Sequence, residues 1–431
     1  MSRPGARFVR VAYGATGLIV TVPHDATVVS PSYAEPVADE VAAVRGALES
    51  PVAGVRLRDL VRRGSSVAIA VCDATRPQPR RPMLEAIAGV LDGIIRDDDV
   101  VVLIATGTHA VSTTAQRREL LGDDVLRRWR VVDHDARDAA SLADAGTIDG
   151  VPVRLNRAWL EADVRITTGF VEPHFFAGFS GGPKMVAPGL AGLETVLELH
   201  SPARIASPQA TFGVIEGNPV HDPIRAIAAA TGVTFAVDVL IDDRHRITHA
   251  FGGPVLEMHA AARAVARRIA MRPVPEAFDV VVTTNSGYPL DRNLYQAVKG
   301  MAAAAGVVAQ GGSIICAAEC SDGLPEPGAY ARILRGSRSI DDAAGAVLAA
   351  GRAIPDGWQV QVQARVQARA QVLLYSALAG DDARVAHVEP VGDVDEAIRQ
   401  LVRRRPGARV CVLPEGPQTI PYLTTERMAA G

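Results

Sequence analysis

Short, almost wholly apolar segments alternate with segments of helical periodicity, and this alternation restricts the chain to an α/β architecture with largely parallel sheets. The apolar segment SSVAIAVCD (65–73) precedes the helical pattern PMLEAIAGVLDGII (82–95). VVVLIATGTHA (100–110) repeats this order, with a capped helix predicted from about Thr113. EADVRITTGFV (161–171) gives a third buried strand. The sequence therefore predicts α/β units built on mainly parallel sheets.

A domain boundary is predicted near the end of the Ala/Arg-rich helical pattern LEMHAAARAVARRIA (256–270). The turn-forming stretch RPVPEA follows, and FDVVVTTNSGYP (278–289) opens a new strand-and-loop unit. We therefore predict an N-terminal α/β domain over 1–272 and a C-terminal α/β domain over 273–408. The last segment, 409–431, is predicted to return to the N-terminal domain.

Four other segments have a predicted conformation. Apolar residues alternate around two glycines over 9–22, which indicates a β-hairpin. GGSIICAAEC (311–320) is predicted as a buried strand, and ARVCVLPEGPQTIPYL (408–423) as a late strand and loop. WQVQVQARVQARAQVLLYSAL (358–378) is predicted as one long helix with polar residues on one side.

Composition excludes several classes of protein. The 431 residues carry a formal net charge of −3 and are 48% hydrophobic, which argues against disorder and against nucleic acid as the main partner. No run of about 18 apolar residues is present, so we expect no membrane association. The first residues lack a signal-type apolar stretch, and a cytoplasmic protein is expected.

The cysteines do not suggest a disulfide framework or a structural zinc site. Only four occur, and they are scattered along the chain: Cys72, Cys316, Cys320 and Cys411. Cys316 and Cys320 stand close together, but neither a second pair nor a nearby histidine completes a zinc ligand set.

Polar residues follow the predicted strands at the points where they end. They are Asp73–Arg76, Gly107–His109 and the stretch that begins at Glu172. In open α/β sheets, ligands bind in the crevice beyond the carboxyl ends of the strands. These clusters are therefore expected to meet at one site.

The segment TTGFVEPHFFAGFSGGPKMVAPGLAGLETVLELHS (167–201) has the highest density of candidate residues. Glycines before Lys184 permit close backbone approach to an anion, but no Ser or Thr follows the lysine, so the nucleotide-binding Walker pattern is absent. Lys184 could be an ordinary solvated lysine. Its apolar, glycine-rich surroundings instead favour a nucleophilic amine that forms a covalent bond.

Three histidines are candidates for chemistry. His200 ends the helical pattern GLETVLELH, where it either complements the helix dipole or binds a metal through one ring nitrogen. His109 and His174 lie on separate strand-end loops. Two bases on opposite faces of a substrate are what a racemase or epimerase requires.

Other side chains could recognise a carboxylate. Arg76 at a strand end offers a planar fork, although it and the turn-forming Asp73 could also be simple surface residues. In NSGYPLDRNLYQAVKGM (285–301), Gln296 and Lys299 share a helix face at a spacing of three. Trp358 begins a helix and could serve packing or binding.

Taken in order, DATRP, TGTH, EPHFFAGFSGGPKMVAPGLAGLETVLELH and YQAVKGM resemble the nickel-dependent lactate racemase family over most of the chain. That resemblance implies two α/β domains with the active site in the cleft between them. It implies a nickel-pincer nucleotide, a pyridinium bisthiocarboxylic acid mononucleotide that binds nickel. Its expected partners are a small 2-hydroxy acid substrate and the enzymes that synthesise the cofactor.

The resemblance also implies a role for each matching residue. Lys184 would attach covalently to the cofactor, and His200 would be the protein ligand to nickel. His109 and His174 would be the catalytic acid/bases. The expected cofactor contacts are Asp73, Ala74, Thr75 and Arg76. The expected substrate contacts are Arg76, Tyr295, Gln296, Lys299 and Trp358.

We therefore predict an isomerase, a racemase or epimerase of a 2-hydroxy carboxylic acid such as lactate. Hydride transfer to the cofactor would give a planar 2-keto acid that accepts hydride on either face, while the histidines exchange the hydroxyl proton. One alternative is a non-catalytic nickel or nucleotide carrier. Another is a nicotinamide-dependent dehydrogenase, although no G-x-G-x-x-G with a downstream acidic residue follows a strand. The substrate could also be another short or aromatic hydroxy acid, malate or a sugar acid.

Overall fold

The computed structural model describes residues 5–325 and 328–424. These residues divide into two compact units. The central unit comprises 33–200 and 209–269, and the terminal unit comprises the described residues of 5–32, 201–208 and 270–424.

The secondary structure alternates between strands and helices. The strands of the described residues are β1 (Ala6–Val11), β2 (Leu18–Pro23), β3 (Thr27–Val28), β4 (Val67–Cys72), β5 (Val100–Ala105), β6 (Arg130–Asp133), β7 (Leu142–Ile148), β8 (Val151–Asn156), β9 (Val164–Phe170), β10 (Pro173–His174), β11 (Gly178–Phe179), β12 (Phe235–Ile241), β13 (Ile247–Gly253), β14 (Met271–Val274), β15 (Phe278–Thr284), β16 (Val308–Ala317), β17 (Ala370–Tyr375), β18 (Glu389–Pro390), β19 (Val410–Leu413) and β20 (Ile420–Leu423). The helices are α1 (Glu40–Glu49), α2 (Leu57–Leu60), α3 (Arg80–Leu91), α4 (Thr114–Arg128), α5 (Arg157–Glu161), α6 (Leu193–Leu199), α7 (Pro202–Ala206), α8 (His221–Thr231), α9 (Val255–Ala270), α10 (Leu294–Ala305), α11 (Ala329–Arg335), α12 (Ile340–Ala349), α13 (Gly357–Arg369), α14 (Gly380–Val385) and α15 (Val394–Arg404). Short 3-10 helices cover Asp97–Asp99, Ala139–Ser141, Gly182–Met185 and Gly416–Gln418.

The central unit is built on a sheet whose described strands have the order β13-β12-β9-β4-β5-β6. All neighbours are parallel except β12 and β13. Every residue of β4 and β5 is buried, as expected for strands that are covered on both faces. Because β9, β4 and β5 are adjacent and parallel, their carboxyl ends share one edge. The three polar clusters predicted from the sequence all follow these strand ends.

The terminal unit is built on a second sheet, with the strand order β18-β17-β16-β15-β19-β3 and all neighbours parallel. The β1–β2 hairpin packs its alternate valines, Val9, Val11, Val20 and Val22, into the core of this unit. The predicted fold class, with α/β units built on mainly parallel sheets, is confirmed. The predicted hairpin is confirmed as well.

The terminal unit is assembled from separate pieces of the chain. The first described residues belong to the terminal unit, because β3 pairs with β19 and the Val29 N–H donates to the Val412 carbonyl at 2.9 Å. The described part of the C-terminal segment belongs to the terminal unit, where β19 pairs with both β3 and β15 and β20 pairs with β14. Residues 425–431 of that segment lie outside the described residues. Because this unit contains three separate segments of the chain, a change of composition along the sequence does not mark where it begins and ends.

The predicted helix over 358–378 is wrong in its second half. α13 ends at Arg369, and β17 then inserts between β16 and β18. The glutamines of α13 are also not a solvated face, because Gln359, Gln361 and Gln363 are buried. Gln361 Nε2 donates to the Pro202 carbonyl at 2.9 Å, so these amides connect backbone groups inside the terminal unit.

Two expectations from composition can be compared with the structure. All four cysteines are buried and free, in agreement with the absence of a disulfide framework. In the described part of the chain, no helix combines the length and apolarity that crossing a membrane would require.

Candidate active site

Asp73 and His109, two of the predicted site residues, form a hydrogen-bonded pair in the central unit. Asp73 directly follows β4, His109 lies in the loop after β5, and Asp73 Oδ2 is 2.8 Å from His109 Nδ1. Burial alone would raise the pKa of Asp73, but the hydrogen bond and charge of His109 hold it below its usual range. Because a carboxylate only accepts, His109 Nδ1 carries the proton and Nε2 carries a lone pair. A buried carboxylate therefore fixes the tautomer of His109.

The loop after β4 is fixed from beneath by Arg80, which sequence reasoning missed. The guanidinium is buried, and it donates to the carbonyls of Cys72 at 2.8 Å and Arg76 at 2.8 Å and also to the carbonyl of Asp73. Three carbonyls on one rigid fork define the path of residues 72–76. Its position in the first turn of a helix gave no sign of this role.

The other predicted residues of this loop are Ala74, Thr75 and Arg76, whose backbone follows the path set by Arg80. Thr75 Oγ1 donates to Asp73 Oδ1 at 2.9 Å, and Arg76 Nη1 donates to Thr75 Oγ1 at 3.2 Å. Ala74 is exposed at the tip of the loop. Arg76 is only partly buried, so its fork lies at the surface of the same strand edge as the Asp73–His109 pair.

The loop that carries His109 is anchored by Asp133, which sequence reasoning also missed. Asp133 ends β6 next to β5, and its Oδ1 accepts from the Ser112 N–H at 2.9 Å. Arg117 Nη2 forms an ion pair with Asp133 Oδ2 at 2.5 Å, and the Asp133 side chain is 2% exposed. The sheet therefore holds both ends of the Asp73–His109 pair.

His174 lies in the short hairpin formed by β10 and β11. Its Nδ1 accepts the backbone N–H of Ala177 at 3.2 Å. In the neutral ring the proton is therefore on Nε2, which is the opposite tautomer to that of His109. In their neutral forms, His109 thus presents a lone pair on Nε2, whereas His174 presents an N–H there.

Phe176 brings three predicted functional side chains together. Its ring centroid lies 4.5 Å from that of His174 and 5.2 Å from that of His200, both in edge-to-face contact. Lys184 Nζ lies 5.7 Å from the same centroid. Phe176 is buried, so its position is defined by the core of the unit. The sequence indicated an aromatic neighbour of His174 but not this central position.

His200 follows the last residue of α6 and is buried. Its Nδ1 donates to the Val196 carbonyl at 2.8 Å, which leaves the lone pair on Nε2. Burial, with a smaller effect from the Lys184 charge, lowers its pKa to about 4. A neutral imidazole whose other nitrogen is tied to a carbonyl is the usual state of a metal-ligating histidine.

Lys184 lies in the 3-10 turn Gly182–Met185 and is half-buried. Gly181 and Gly182 have φ angles of 72° and 51°, which favour glycine. The sequence holds a further signal that the motif reasoning did not use. The whole chain has only two lysines, Lys184 and Lys299, against 43 arginines. An arginine supplies a positive charge but cannot act as a neutral amine, so these two lysines are candidates for a role that only an amine can fill.

The remaining predicted residues form a cluster in the terminal unit. Trp358 Nε1 donates to the Tyr295 hydroxyl at 3.1 Å, and Lys299 Nζ donates to Gln296 Oε1 at 2.6 Å. Asn293 caps α10, with its Oδ1 accepting from the Gln296 N–H at 3.0 Å. The structure thus brings the four predicted substrate residues of the second domain together. In the central unit the predicted residues form two groups, one around Asp73 and His109 and one around the Phe176 ring.

Comparisons with known proteins agree along most of the chain. Residues 13–213 match the family model "Lactate racemase N-terminal domain", and residues 274–420 match "Lactate racemase C-terminal domain". A lactate racemase from Thermoanaerobacterium thermosaccharolyticum is 34% identical over 88% of this chain and 89% of its own length. A lactate racemase from Lactiplantibacillus plantarum is 32% identical over 86% of this chain and 89% of its own.

Solved structures give the same result. The lactate racemase apoprotein from Thermoanaerobacterium thermosaccharolyticum superposes with a TM-score of 0.89 at 31% identity, covering 96% of this chain and 100% of that one. A protein from Thermotoga maritima superposes with a TM-score of 0.66 at 17% identity, covering 91% of this chain and 100% of that one. The second likeness concerns the fold alone.

Proposed function

Because this chain belongs to the lactate racemase family, we propose that it racemises or epimerises a 2-hydroxy carboxylic acid, lactate or a close analogue. The observation that carries the proposal is a pair of histidines that each have Nδ1 in a hydrogen bond within the protein and would therefore act through Nε2. His109 has Nδ1 bound to a carboxylate, whereas His174 has Nδ1 bound to a backbone N–H. A reaction that takes a proton from one enantiomer and gives it to the other requires such a pair.

The hydroxyl proton is handled by these imidazoles. In one direction His109 Nε2 takes the proton of the substrate hydroxyl, and Asp73 stabilises the resulting imidazolium. His174 can return a proton from Nε2 to the oxygen on the other face only as an imidazolium, which requires its Nδ1 to release the Ala177 N–H and take up a proton. Delivery then leaves a neutral ring with the proton on Nδ1 and a lone pair on Nε2. In the reverse direction the roles exchange. With the cofactor bound as hydride acceptor, the C2 hydrogen would leave and return as hydride, and the substrate would pass through a planar 2-keto acid.

The residues present fit a nickel-pincer nucleotide. His200 is buried and carries its lone pair on Nε2, and Lys184 carries its amine next to a turn of two glycines. When bound, this group supplies a hydride acceptor tuned by nickel and sulfur. Lys184 would hold it covalently, His200 would bind the metal, and the loop Asp73–Arg76 would contact its polar part. The protein would hold the Lys184 amine, the His200 imidazole and the loop Asp73–Arg76 in place before the cofactor binds.

Arg76 and the terminal-unit cluster support recognition of a carboxylate. Arg76 uses Nη1 on Thr75, and its planar guanidinium suits a bidentate carboxylate contact through Nε and Nη2. Lys299 is the second of the chain's two lysines and is held by Gln296 at 2.6 Å. We assign Gln296 and Lys299 to the substrate carboxylate, and Tyr295 and Trp358 to the wall beside it.

The test is production of the chain together with the enzymes that synthesise the cofactor, followed by intact-mass, metal and activity measurements. We expect a nucleotide-sized adduct on the peptide that contains Lys184, nickel in equimolar amount, and racemisation of a hydroxy acid by chiral chromatography. Lys184→Arg should abolish the adduct while keeping the charge. Lys299→Arg is the matched control and should keep the adduct.

Two outcomes would contradict parts of this proposal. A loaded protein that binds nickel but leaves every enantiomer of a hydroxy acid panel unchanged would be a carrier and not a racemase. An unmodified mass without nickel, under conditions that load the Thermoanaerobacterium relative, would remove the cofactor assignment.

A further inference from the structure

A buried carboxylate lies directly beneath the turn that carries Lys184. Asp238 is in the middle of β12 and has no exposed surface. Its Oδ2 accepts the Gly182 N–H at 2.5 Å, and the Lys184 N–H closes the same turn on the Gly181 carbonyl at 3.2 Å. The carboxylate therefore contacts the backbone two residues before the reactive amine.

The surrounding glycines make room for this carboxylate. A Cβ at Gly169, the partner of Asp238 on β9, would lie 2.8 Å from Oδ1. A Cβ at Gly181 would lie 2.5 Å from Oδ2. Contacts this short do not occur for real side chains, so both positions require glycine as long as Asp238 keeps its place.

A second buried side chain holds the other end of the turn. His259 Nε2 donates to the Ser180 carbonyl at 2.9 Å, and a Cβ at Gly182 would lie 2.5 Å from its ring. Residues 180–182 are thus fixed from beneath by one acceptor and one donor. Neither contact depends on the side chains that the turn presents.

The position of Asp238 is not explained by stability. A buried carboxylate costs several kcal/mol unless donors surround it. In the described part of the chain, Oδ1 has no hydrogen-bond partner. Burial, only partly offset by the Gly182 N–H, raises the pKa of Asp238 to about 7. An apolar residue would suit the middle of a buried strand better, so the carboxylate must act on the turn.

We propose that Asp238 is the positioning residue for Lys184, holding the Gly181–Gly182 turn so that the ε-amino group lies at the Phe176 ring. The covalent role of Lys184 rests on the proposed function, but the positioning itself is measurable without the cofactor. No bond to Asp238 forms or breaks, because the carboxylate acts through the backbone of the turn.

The two lysines of the chain make this measurable in the apoprotein. Limited acylation with an amine reagent, followed by peptide mass spectrometry, gives the labelling rate of Lys184 relative to Lys299. Since Lys184 is half-buried, release of its turn should increase that ratio. We expect Asp238→Ala to raise the ratio at least threefold and to lower the adduct yield on cofactor loading at least tenfold.

Three variants separate positioning from general destabilisation. Asp238→Asn keeps an oxygen for the Gly182 N–H and should stay within about twofold of wild type in both readouts. Asp242→Ala removes another buried aspartate, which follows the same strand and accepts the Arg246 N–H at 2.8 Å, and should leave the ratio unchanged. Gly169→Ala should imitate Asp238→Ala, yet add nothing when combined with it, because the methyl group then occupies the vacated space.

The proposal is overturned if Asp238→Ala leaves the labelling ratio unchanged, or if Asp242→Ala changes it equally. If Asp238→Ala does not fold, the same decision rests on Gly169→Ala against the Asp242 control. If Asp238→Ala changes the labelling ratio but the wild-type chain accepts no cofactor, the proposed function is refuted and the positioning role of Asp238 stands.

Discussion

Replacing Asp73 by Asn is the most informative perturbation of the proposed acid/base pair. The carboxylate fixes the His109 proton on Nδ1 across 2.8 Å. The amide of an asparagine can instead donate to Nδ1, which moves the ring proton to Nε2 and removes the base. The substitution is nearly isosteric, so the loop clamped by Arg80 should keep its shape.

The expected loss follows from the exposure of the pair. A positioned general base contributes about 10²- to 10⁴-fold. The His109 side chain is 45% exposed, whereas that of Asp73 is 8% exposed, so water supports the imidazolium in part. We therefore expect kcat to fall about 10²- to 10³-fold, which corresponds to about 3–4 kcal/mol of transition-state stabilisation.

The assay must separate the two enantiomers. Steady-state racemisation should slow in both directions, since a full cycle uses both histidines. In a rapid-quench experiment with stoichiometric enzyme, however, only one enantiomer should lose its initial formation of 2-keto acid. Adduct and nickel content are measured in the same preparations, so that rates refer to loaded enzyme.

Thr75→Val is the matched control for this experiment. It removes one hydrogen bond to Asp73, at 2.9 Å, but keeps the carboxylate, and it should cost less than tenfold in kcat. If Asp73→Asn retains more than a tenth of wild-type kcat, or if both enantiomers lose their keto-acid formation equally, the assignment of His109 as the base for one face is refuted.

Four other expectations concern groups around the pair. Phe176→Leu should lower both nickel content and kcat more than tenfold, because the ring lies against three predicted functional side chains. Phe175→Leu removes a ring stacked on His174 and should leave nickel content unchanged in metal analysis. Lys299→Gln should raise KM at least tenfold in steady-state assays without affecting the adduct. Asp133→Ala should slow racemisation by releasing the loop at Ser112, but should cause little further loss in an Asp73→Asn background. Burial raises the pKa of Asp238 from 3.8 to about 7, so between these pH values the folded chain keeps a proton that the unfolded chain releases. The free energy of unfolding of wild type should therefore fall by up to about 4 kcal/mol relative to Asp238→Asn as pH rises from 4 to 7, as measured by chemical denaturation.

Sequence reasoning succeeded where the signal is local. The apolar strands β4, β5 and β9 and the polar residues that follow them are contiguous in the chain, and the parallel order of the strands brings those residues to one edge. The helix predicted from Thr113 is confirmed for the same reason, because its cap and its first turn are neighbours in sequence. The motif around Lys184 is likewise a continuous segment.

It failed where a residue acts on a distant backbone. Asp238 lies in the ordinary strand sequence FAVDVLI, and nothing within that segment shows that it meets a turn 56 positions away. Asp133 and the serine it holds are 21 positions apart. In 358–378 the alternation VQVQ and the strand AQVLLY give overlapping patterns, so periodicity could not locate the end of the helix.

The supporting residues of the central unit share one physical device, which is contact with loop backbone and not with loop side chains. Arg80 holds carbonyls after β4, Asp133 holds an N–H after β5, and Asp238 holds an N–H after β9. Such contacts do not depend on which side chains the loops carry. Substitutions in the support should therefore change rates while keeping the reaction and the substrate, and substitutions in the loops should change the reaction or the substrate while keeping the fold. Substrate preference in this chain is accordingly a property of the loop side chains, and a variant of Asp133 or Asp238 that altered the preferred hydroxy acid would contradict this division.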